Sequence, residues 1–203
     1  PLLLSSAASD VYKRQVMIAD NKGQIGIVSL DSNDIEMIDL TTVDKTRTYK
    51  EMHFSDTPIE ILDKTKSSSF AIEMALDAGR IIAAADSLGA SQAMINKAVE
   101  YSKERKQFNR VIGSFQAVKH MCAEMAAELE PCYSLVWHAA HCFDDSSEDA
   151  RLMACLAKSH ISEVSKMVSK KATEVHGGMG FTDLLGLHFW FCLLYTFRAH
   201  ETS

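Results

Sequence analysis

The chain has 203 residues, 47% of them hydrophobic and 24% charged, with a net charge of −6. That balance describes an ordinary globular chain and argues against broad nucleic-acid binding, which needs a basic face. Five cysteines without paired metal spacing, several on helical faces, read as reduced core residues of an intracellular protein, and no apolar run is long enough to span a membrane. Three prolines and nine glycines suit a mostly helical protein.

Val16 to Leu62 has a strand texture. Gln24-Ile25-Gly26-Ile27-Val28-Ser29-Leu30 alternates and is β-branched, after a turn signal at Asn21-Lys22-Gly23. Ile35 to Leu40 and Thr46 to Phe54 are further strand candidates, and Asp63 to Ser69 reads as a linker. From Phe70 the period becomes helical. Ile72, Ala75, Leu76, Gly79, Ile82 and Ala83 form a stripe that runs on through Met94, Ala98 and Tyr101, predicting one long helix. Gly113 and Ser114 are expected to break it and cap the next, whose stripe is Phe115, Val118, Cys122, Met125 and Leu129. Pro131 is expected to interrupt that second helix, and Ser146 with Asp149 has capping-box spacing for a third. Leu156, Val164, Val168 and Val175 stripe the third helix, Gly177-Gly178 ends it, and Phe181 to Phe191 begins a fourth. Long helices joined by short turns predict an antiparallel four-helix bundle behind a partial β-domain.

The two ends stand apart. Asp10-Val11-Tyr12-Lys13-Arg14-Gln15 can be encoded as GAT GTG TAT AAG AGA CAG, and the reverse complement, read one base in, translates as Cys192-Leu193-Leu194-Tyr195-Thr196. This DNA resembles the transposase adapter of sequencing libraries. Residues 1–15 and 192–203 are therefore expected to be adapter translation, with no chemistry on Cys192, Tyr195 or His200. On this reading Val16 to Phe191 is a segment of a longer gene. Residues 16–66 would be the C-terminal part of a middle β-domain, and 67–191 an incomplete C-terminal helical bundle.

Two elements carry chemistry. In Tyr101-Ser102-Lys103-Glu104-Arg105-Lys106-Gln107-Phe108, followed by Phe115-Gln116, a charged helix end runs into two aromatic–amide pairs. Cations at a helix C-terminus offset the macrodipole, which accounts for the charges but not for the Phe and Gln residues. The second element is Glu174-Val175-His176-Gly177-Gly178-Met179-Gly180-Phe181-Thr182. Alone it is a tight cap and turn, and without a preceding strand it is no dinucleotide fingerprint. His138 and His141, three apart, could approach a metal but lack carboxylate partners, so no metal site is expected.

Together the two elements resemble the acyl-CoA dehydrogenases, over Gly23 to about Phe191. The resemblance implies FAD as cofactor, with Arg105 on the pyrophosphate and Gln107, Phe108 and Gln116 flanking the nucleotide of a neighbouring subunit. A guanidinium suits bidentate phosphate binding. It also implies that Glu174, Gly177 and Gly178 lie against the adenylate half, although the family often has Gln in place of Glu174, whose carboxylate a pyrophosphate would repel. Asp77 and Arg80 align with positions near the acyl-CoA chain, beside their plain reading as an intrahelical ion pair. The implied partners are an acyl-CoA substrate and further copies in a homo-oligomer, dimer or tetramer. No nucleic acid or membrane span is expected, the electron acceptor is unknown, and the location is cytoplasmic, or the mitochondrial matrix in a eukaryote. The implied activity is α,β-dehydrogenation of an acyl-CoA thioester. The family places its catalytic carboxylate either on the first bundle helix, where this chain has Gly79, or beyond Phe181. No catalytic residue is assigned, and the fragment by itself is expected to be inactive. Alternatives are a non-catalytic FAD- or CoA-binding subunit, an acyl-CoA oxidase or flavin monooxygenase, and an unrelated helical interaction module.

Overall fold

A computed structural model describes residues 2–3, 15–19, 24–30, 34–41, 48–62, 68–182 and 184–191. The turn signal at 21–23 and the expectations for Cys192, Tyr195 and His200 lie outside these residues. The chain divides into two compact units, Pro1–Leu76 and Asp77–Ser203.

In the first unit β1 (Leu2–Leu3), β2 (Gln15–Ala19), β3 (Ile25–Ser29) and β6 (Glu60–Ile61) form an antiparallel sheet in that order. Val16 and Val28 face each other across β2 and β3 and are both buried, as alternation with one covered face requires. β4 (Ile35–Leu40) and β5 (Tyr49–Phe54) make a separate hairpin, where Asp39 lies opposite Lys50 and pairs with it at 2.7 Å. The first turns of the long helix α1 (Ser68–Glu104) also belong here.

The second unit is helical. After α1 come a small hairpin, β7 (Lys106–Gln107) with β8 (Arg110–Val111), and a 3₁₀ turn at Ile112–Ser114. Then follow α2 (Gln116–Asp144), α3 (Ala150–His176), a second 3₁₀ turn at Gly177–Phe181 and helical backbone over 187–191. The protein is thus mostly helical with a smaller β region, the expected fold class.

On α1 the buried positions Asp77, Ile81, Ala84, Leu88, Ser91, Ile95, Ala98 and Ser102 alternate three and four apart, the seam spacing of a bundle, with Ser87 and Met94 buried beside them. The expected stripe holds at Met94 and Ala98 and is corrected at its start, where Ile82 is 70% exposed and Gly79 is also exposed. A helix this rich in alanine offers several faces of similar hydrophobicity, and packing selects one of them.

α3 is buried on two sides. Ala154, Ala157, Ile161, Val164, Val168, Ala172 and Val175 form an apolar side, while Lys158, Ser162, Ser165, Ser169, Thr173 and His176 form a polar one. Leu156, expected in the stripe, is exposed. The buried hydroxyls are satisfied locally: Ser162 donates to Lys158 O at 2.7 Å, Ser169 to Lys166 O at 2.9 Å and Thr173 to Ser169 O at 2.8 Å. Short side chains with internal partners let α1 approach α3 closely, and Ser91 Oγ donates to Ser165 Oγ at 2.8 Å.

Three ties occur in the same order along both helices: Asp77 with Arg151, Ser91 with Ser165, and the ring of Tyr101 on that of His176. α1 and α3 are therefore parallel. Tyr133 of α2 reaches Gln92 of α1 at 3.0 Å, and Lys171 of α3 pairs with Glu124 of α2.

Several local expectations are corrected. Ser114 does not cap α2; its hydroxyl donates to Val111 O at 2.7 Å and closes the 3₁₀ turn, leaving Phe115 as N-cap without a side-chain bond. Ser146 has a positive φ of 51°, and it is the Ser147 hydroxyl that accepts the Asp149 N–H, at 3.3 Å. After the 3₁₀ turn ends at Phe181, residues 182 and 184–186 are not helical, and helical backbone begins again at 187. Cys132 is buried but Cys155 is exposed, and the four cysteines among the described residues are free. Burial raises the thiols of Cys122 and Cys132, which stay protonated at neutral pH.

α2 runs unbroken through Pro131. The proline sits on the exposed face, so the carbonyl four residues earlier, on exposed Ala127, loses its helical donor where it can face solvent. Pro131→Ala restores that donor and is expected to stabilise the chain by about 1–3 kcal/mol. Urea unfolding checks this, and an unchanged or lower midpoint contradicts it.

Candidate functional site

Because α1 and α3 are parallel, they end at the same place. The Tyr101 and His176 rings, 4.5 Å apart between centroids, mark it. The hairpin that follows α1 and the glycine turn that follows α3 therefore emerge from one end of the bundle. This brings the two sequence elements together across more than sixty intervening residues (Phe108 to Glu174).

The hairpin is held by its own backbone. Arg105 N–H donates to Tyr101 O at 2.9 Å, closing the last turn of α1, and Ile112 N–H donates to Arg105 O at 2.8 Å. Phe108 and Asn109 form the two-residue loop, with φ of 53° and 60°. Two left-handed residues in succession are the signature of a type I′ turn, whose twist matches that of the flanking strands. Asn accepts this conformation readily, whereas a non-glycine residue such as Phe pays about 1–2 kcal/mol in it. The Phe108 ring is 87% exposed and touches Phe115 by its edge, at 6.2 Å between centroids. Arg110 lies over the other aromatic, with its guanidinium carbon 3.9 Å from the Phe115 ring centre. Sequence reasoning passed over Arg110, although a second arginine five residues after Arg105 within a hairpin was a visible signal.

Arg105, Gln107, Gln116 and Glu174 are all exposed, and Arg105 makes no ion pair among the described residues. Gln116 donates its amide to His120 Nε2 at 3.1 Å. Gly177 caps α3 with φ of 60°, and a side chain at Gly177 or Gly178 would meet nothing within 4 Å, so this backbone is open to a ligand. Gly180 is different. A Cβ there would lie 2.7 Å from Thr173 O and 3.2 Å from His176 Cβ, so only glycine seats this turn on the end of α3.

An unpaired guanidinium, an exposed strained aromatic, two amides and bare glycine backbone at one bundle end fit a flat, phosphate-bearing ligand. Glu174 is the discordant member, an exposed carboxylate on the last turn of α3.

Asp77 and Arg80 lie elsewhere, near the start of the helical unit. Buried Asp77 accepts from Arg80 Nη1 at 2.5 Å and from Arg151 Nε at 3.2 Å, so each of its oxygens has an arginine. Arg151 was not anticipated, since its partner is far away in sequence. Gly79 is exposed, with open space where a side chain would be. His138 lies beside Cys142 Sγ, at 3.6 Å from Nε2, and His141 meets the edge of Trp137. Among the described residues no group of three or more potential metal ligands occurs, and no helix is long and apolar enough to cross a membrane.

Phe108→Asn replaces a strained residue with one that tolerates the turn, at the loss of an edge contact worth about 0.5 kcal/mol at this exposure. The chain is therefore expected to gain roughly 1 kcal/mol of stability, read as a rise in thermal midpoint. A fall would show that Phe108 is held there by packing.

Comparison with known proteins gives one answer. Residues 70–193 match the family described as acyl-CoA dehydrogenase, C-terminal domain. The caffeyl-CoA reductase-Etf complex subunit CarC of Acetobacterium woodii is 32% identical over 178 residues, 88% of this chain and 43% of that protein. The 3-(aryl)acrylate reductase of Clostridium sporogenes is 34% identical over 164 residues, 81% of this chain and 42% of that protein. The structure of butyryl-CoA dehydrogenase from Megasphaera elsdenii superposes with a TM-score of 0.83 at 25% identity, covering 93% of this chain and 51% of that one. The chain thus spans less than half the length of these two curated relatives. On the family match and these identities, the chain belongs to the acyl-CoA dehydrogenase family.

Proposed function

We propose that this chain supplies the flavin-binding helical domain of an FAD-dependent enzyme that interconverts an acyl-CoA and its α,β-unsaturated form. The observation that supports this most is the convergence of Arg105, Gln107, Phe108 and Gln116 with Glu174, Gly177 and Gly178 at one end of the bundle. Arg105 would hold the pyrophosphate, with its planar donors matched to phosphate oxygens. Phe108 and Gln107 would line the nucleotide, and the open backbone at Gly177 and Gly178 would admit its adenylate half. Glu174 would turn toward the ribose, away from the phosphates. When bound, FAD would supply the two-electron redox chemistry.

The cradle faces outward, which suits a cofactor carried by a neighbouring copy and hence a homo-oligomer. Asp77 and Arg80 would sit along the acyl-CoA path, with Asp77 fixed by its two arginines. Gly79 has no side chain, so it cannot take the α-proton, and no base is assigned on this chain. A chain of this extent is accordingly inactive alone, and the boundaries at 1–15, 66/67 and 192–203 remain our assignment of which residues belong to the parent protein.

Arg105→Ala in the full-length protein is expected to weaken FAD binding about 10–100-fold, the loss of one charge-assisted contact. Flavin fluorescence on titration measures this. Unchanged affinity would return Arg105 to a role in capping α1.

A bulky, flat acyl group is the substrate class favoured here. Both curated relatives above are named for reductases of aryl-bearing substrates, and Gly79 leaves α1 without a side chain at a position the family places beside the acyl group. Reduction of a 3-arylacryloyl-CoA is the same bond change run backwards. With full-length enzyme and a reduced electron donor, 3-arylacryloyl-CoA is expected to reoxidise the flavin at least about tenfold faster, per unit concentration, than crotonyl-CoA. The opposite ranking would point to a short-chain dehydrogenase.

A further inference from the structure

Phe108 stands at the tip of the hairpin with its ring 87% exposed and its φ at 53°. An exposed ring on a short loop hops between rotamers within nanoseconds unless something holds it. Among the described residues the ring that touches it is Phe115, at 6.2 Å between centroids and 79° between planes. How firmly Phe108 is held therefore depends on how firmly Phe115 is held.

The Phe115 backbone is well anchored. Its N–H donates to Ile112 O at 3.0 Å, and its carbonyl accepts from Lys119 N–H at 3.1 Å in the first turn of α2. The 3₁₀ turn before it is seated on α1 at Gly113, where a Cβ would lie 2.9 Å from Ser102 O. The ring itself is only half-buried, and its open face is where Arg110 lies, with the guanidinium carbon 3.9 Å from the ring centre. Arg110 has no carboxylate partner among the described residues, so no ion pair competes with the ring for the guanidinium. A planar guanidinium stacks on an aromatic face as an ammonium cannot. Arg110 is also the cross-strand partner of Gln107, and such partners share one face of a hairpin. It thus ties the strands of the hairpin to Phe115 and, through that ring, to the loop tip.

We propose that Arg110 is a positioning residue, which by covering Phe115 holds that ring against Phe108 and so presents Phe108 in one orientation. The use of that orientation to receive the flavin nucleotide rests on the function proposed above; the chain of contacts from Arg110 through Phe115 to Phe108 does not. Restricting Phe108 before the ligand arrives lowers the ordering cost of binding. A cation–π contact at an exposed position is modest, so its effect is read by difference between paired variants.

Two single variants and their combination make the test. Nuclear magnetic resonance of the 203-residue chain follows the ring signals of Phe108 and Phe115, with the amides of α2 and α3 as the control for folding. Arg110 is exposed, so its replacement leaves the core intact. Arg110→Gln is expected to move both rings' signals and to bring those of Phe108 close to the values of a mobile phenylalanine. Arg110→Lys, which keeps a cation near the ring, should restore part of the change. Phe115→Leu should release Phe108 to the same extent, and Arg110→Gln added to it should change Phe108 no further. Phe108 signals that stay fixed in Arg110→Gln overturn the proposal, as do signals that move again when the second substitution is added. In the full-length protein Arg110→Gln is expected to weaken FAD binding about two- to fivefold, with no further loss when it is combined with Phe115→Leu. A further loss in that combination would mean that Arg110 meets the cofactor's phosphates directly, and overturns the positioning role. Unchanged FAD affinity in Arg110→Gln overturns the functional link. Ring signals that respond as expected in a protein binding no FAD uphold the chain of contacts and count against the flavin reading instead.

Discussion

The parallel seam between α1 and α3 is the constraint on which the rest of the helical unit depends. It is made of unlike parts: a buried carboxylate shared by two arginines at one end, a serine pair in the middle and a Tyr–His stack at the other. No single tie is strong. Exposed arginines contribute little through charge alone, and a hydroxyl pair gains about 1 kcal/mol. Their value is positional, because three ties in register allow neither sliding nor rotation. Breaking the Asp77 cluster would be costly for a different reason, since it would leave a buried charge without its partners.

That register is what brings the two turns to one end of the bundle. The turn after α1 and the turn after α3 are remote in sequence, and only parallel helices whose C-terminal ends are in register deliver both to the same end. Each turn is then shaped for display. Phe108 is kept in a left-handed conformation that its side chain disfavours, while Gly180 is locked onto α3 so that Gly177 and Gly178 can remain bare. Strain on one side and missing side chains on the other are both understandable if the ligand, and not the protein, is meant to fill the space between them.

The seam also shows why some expectations failed. Serine does not register in a hydrophobic pattern, so the expected stripe of α3 held Leu156 and left out Ser162, Ser165 and Ser169. In fact Ser162 and Ser169 turn back to carbonyls of their own helix and Ser165 donates to Ser87 O of α1, so each is a small core residue with its hydroxyl satisfied. The displaced stripe on α1 has the same origin. Where alanine occupies most faces, periodicity cannot tell Ile81 from Ile82, and the partner helix decides. Pro131 was expected to break α2 because local chemistry forbids one hydrogen bond, but a helix packed along its length tolerates that loss on its exposed side.

By itself the sequence determined the fold class, the long helices and the two motifs, since those follow from short-range periodicity and from residue types that are rare without a purpose. The strand candidates at Ile25 and Ile35, and Gly177 as the cap of α3, were legible for the same local reason. Tertiary structure alone decided which helical face is buried, that Arg151 completes the Asp77 pair, that Arg110 covers Phe115, and that the rings of Tyr101 and His176 stack. Each of these is a contact between residues far apart in the chain or a choice among near-equal faces. Such choices are settled by the packing of a whole helix against its neighbours, and a local pattern carries no record of them.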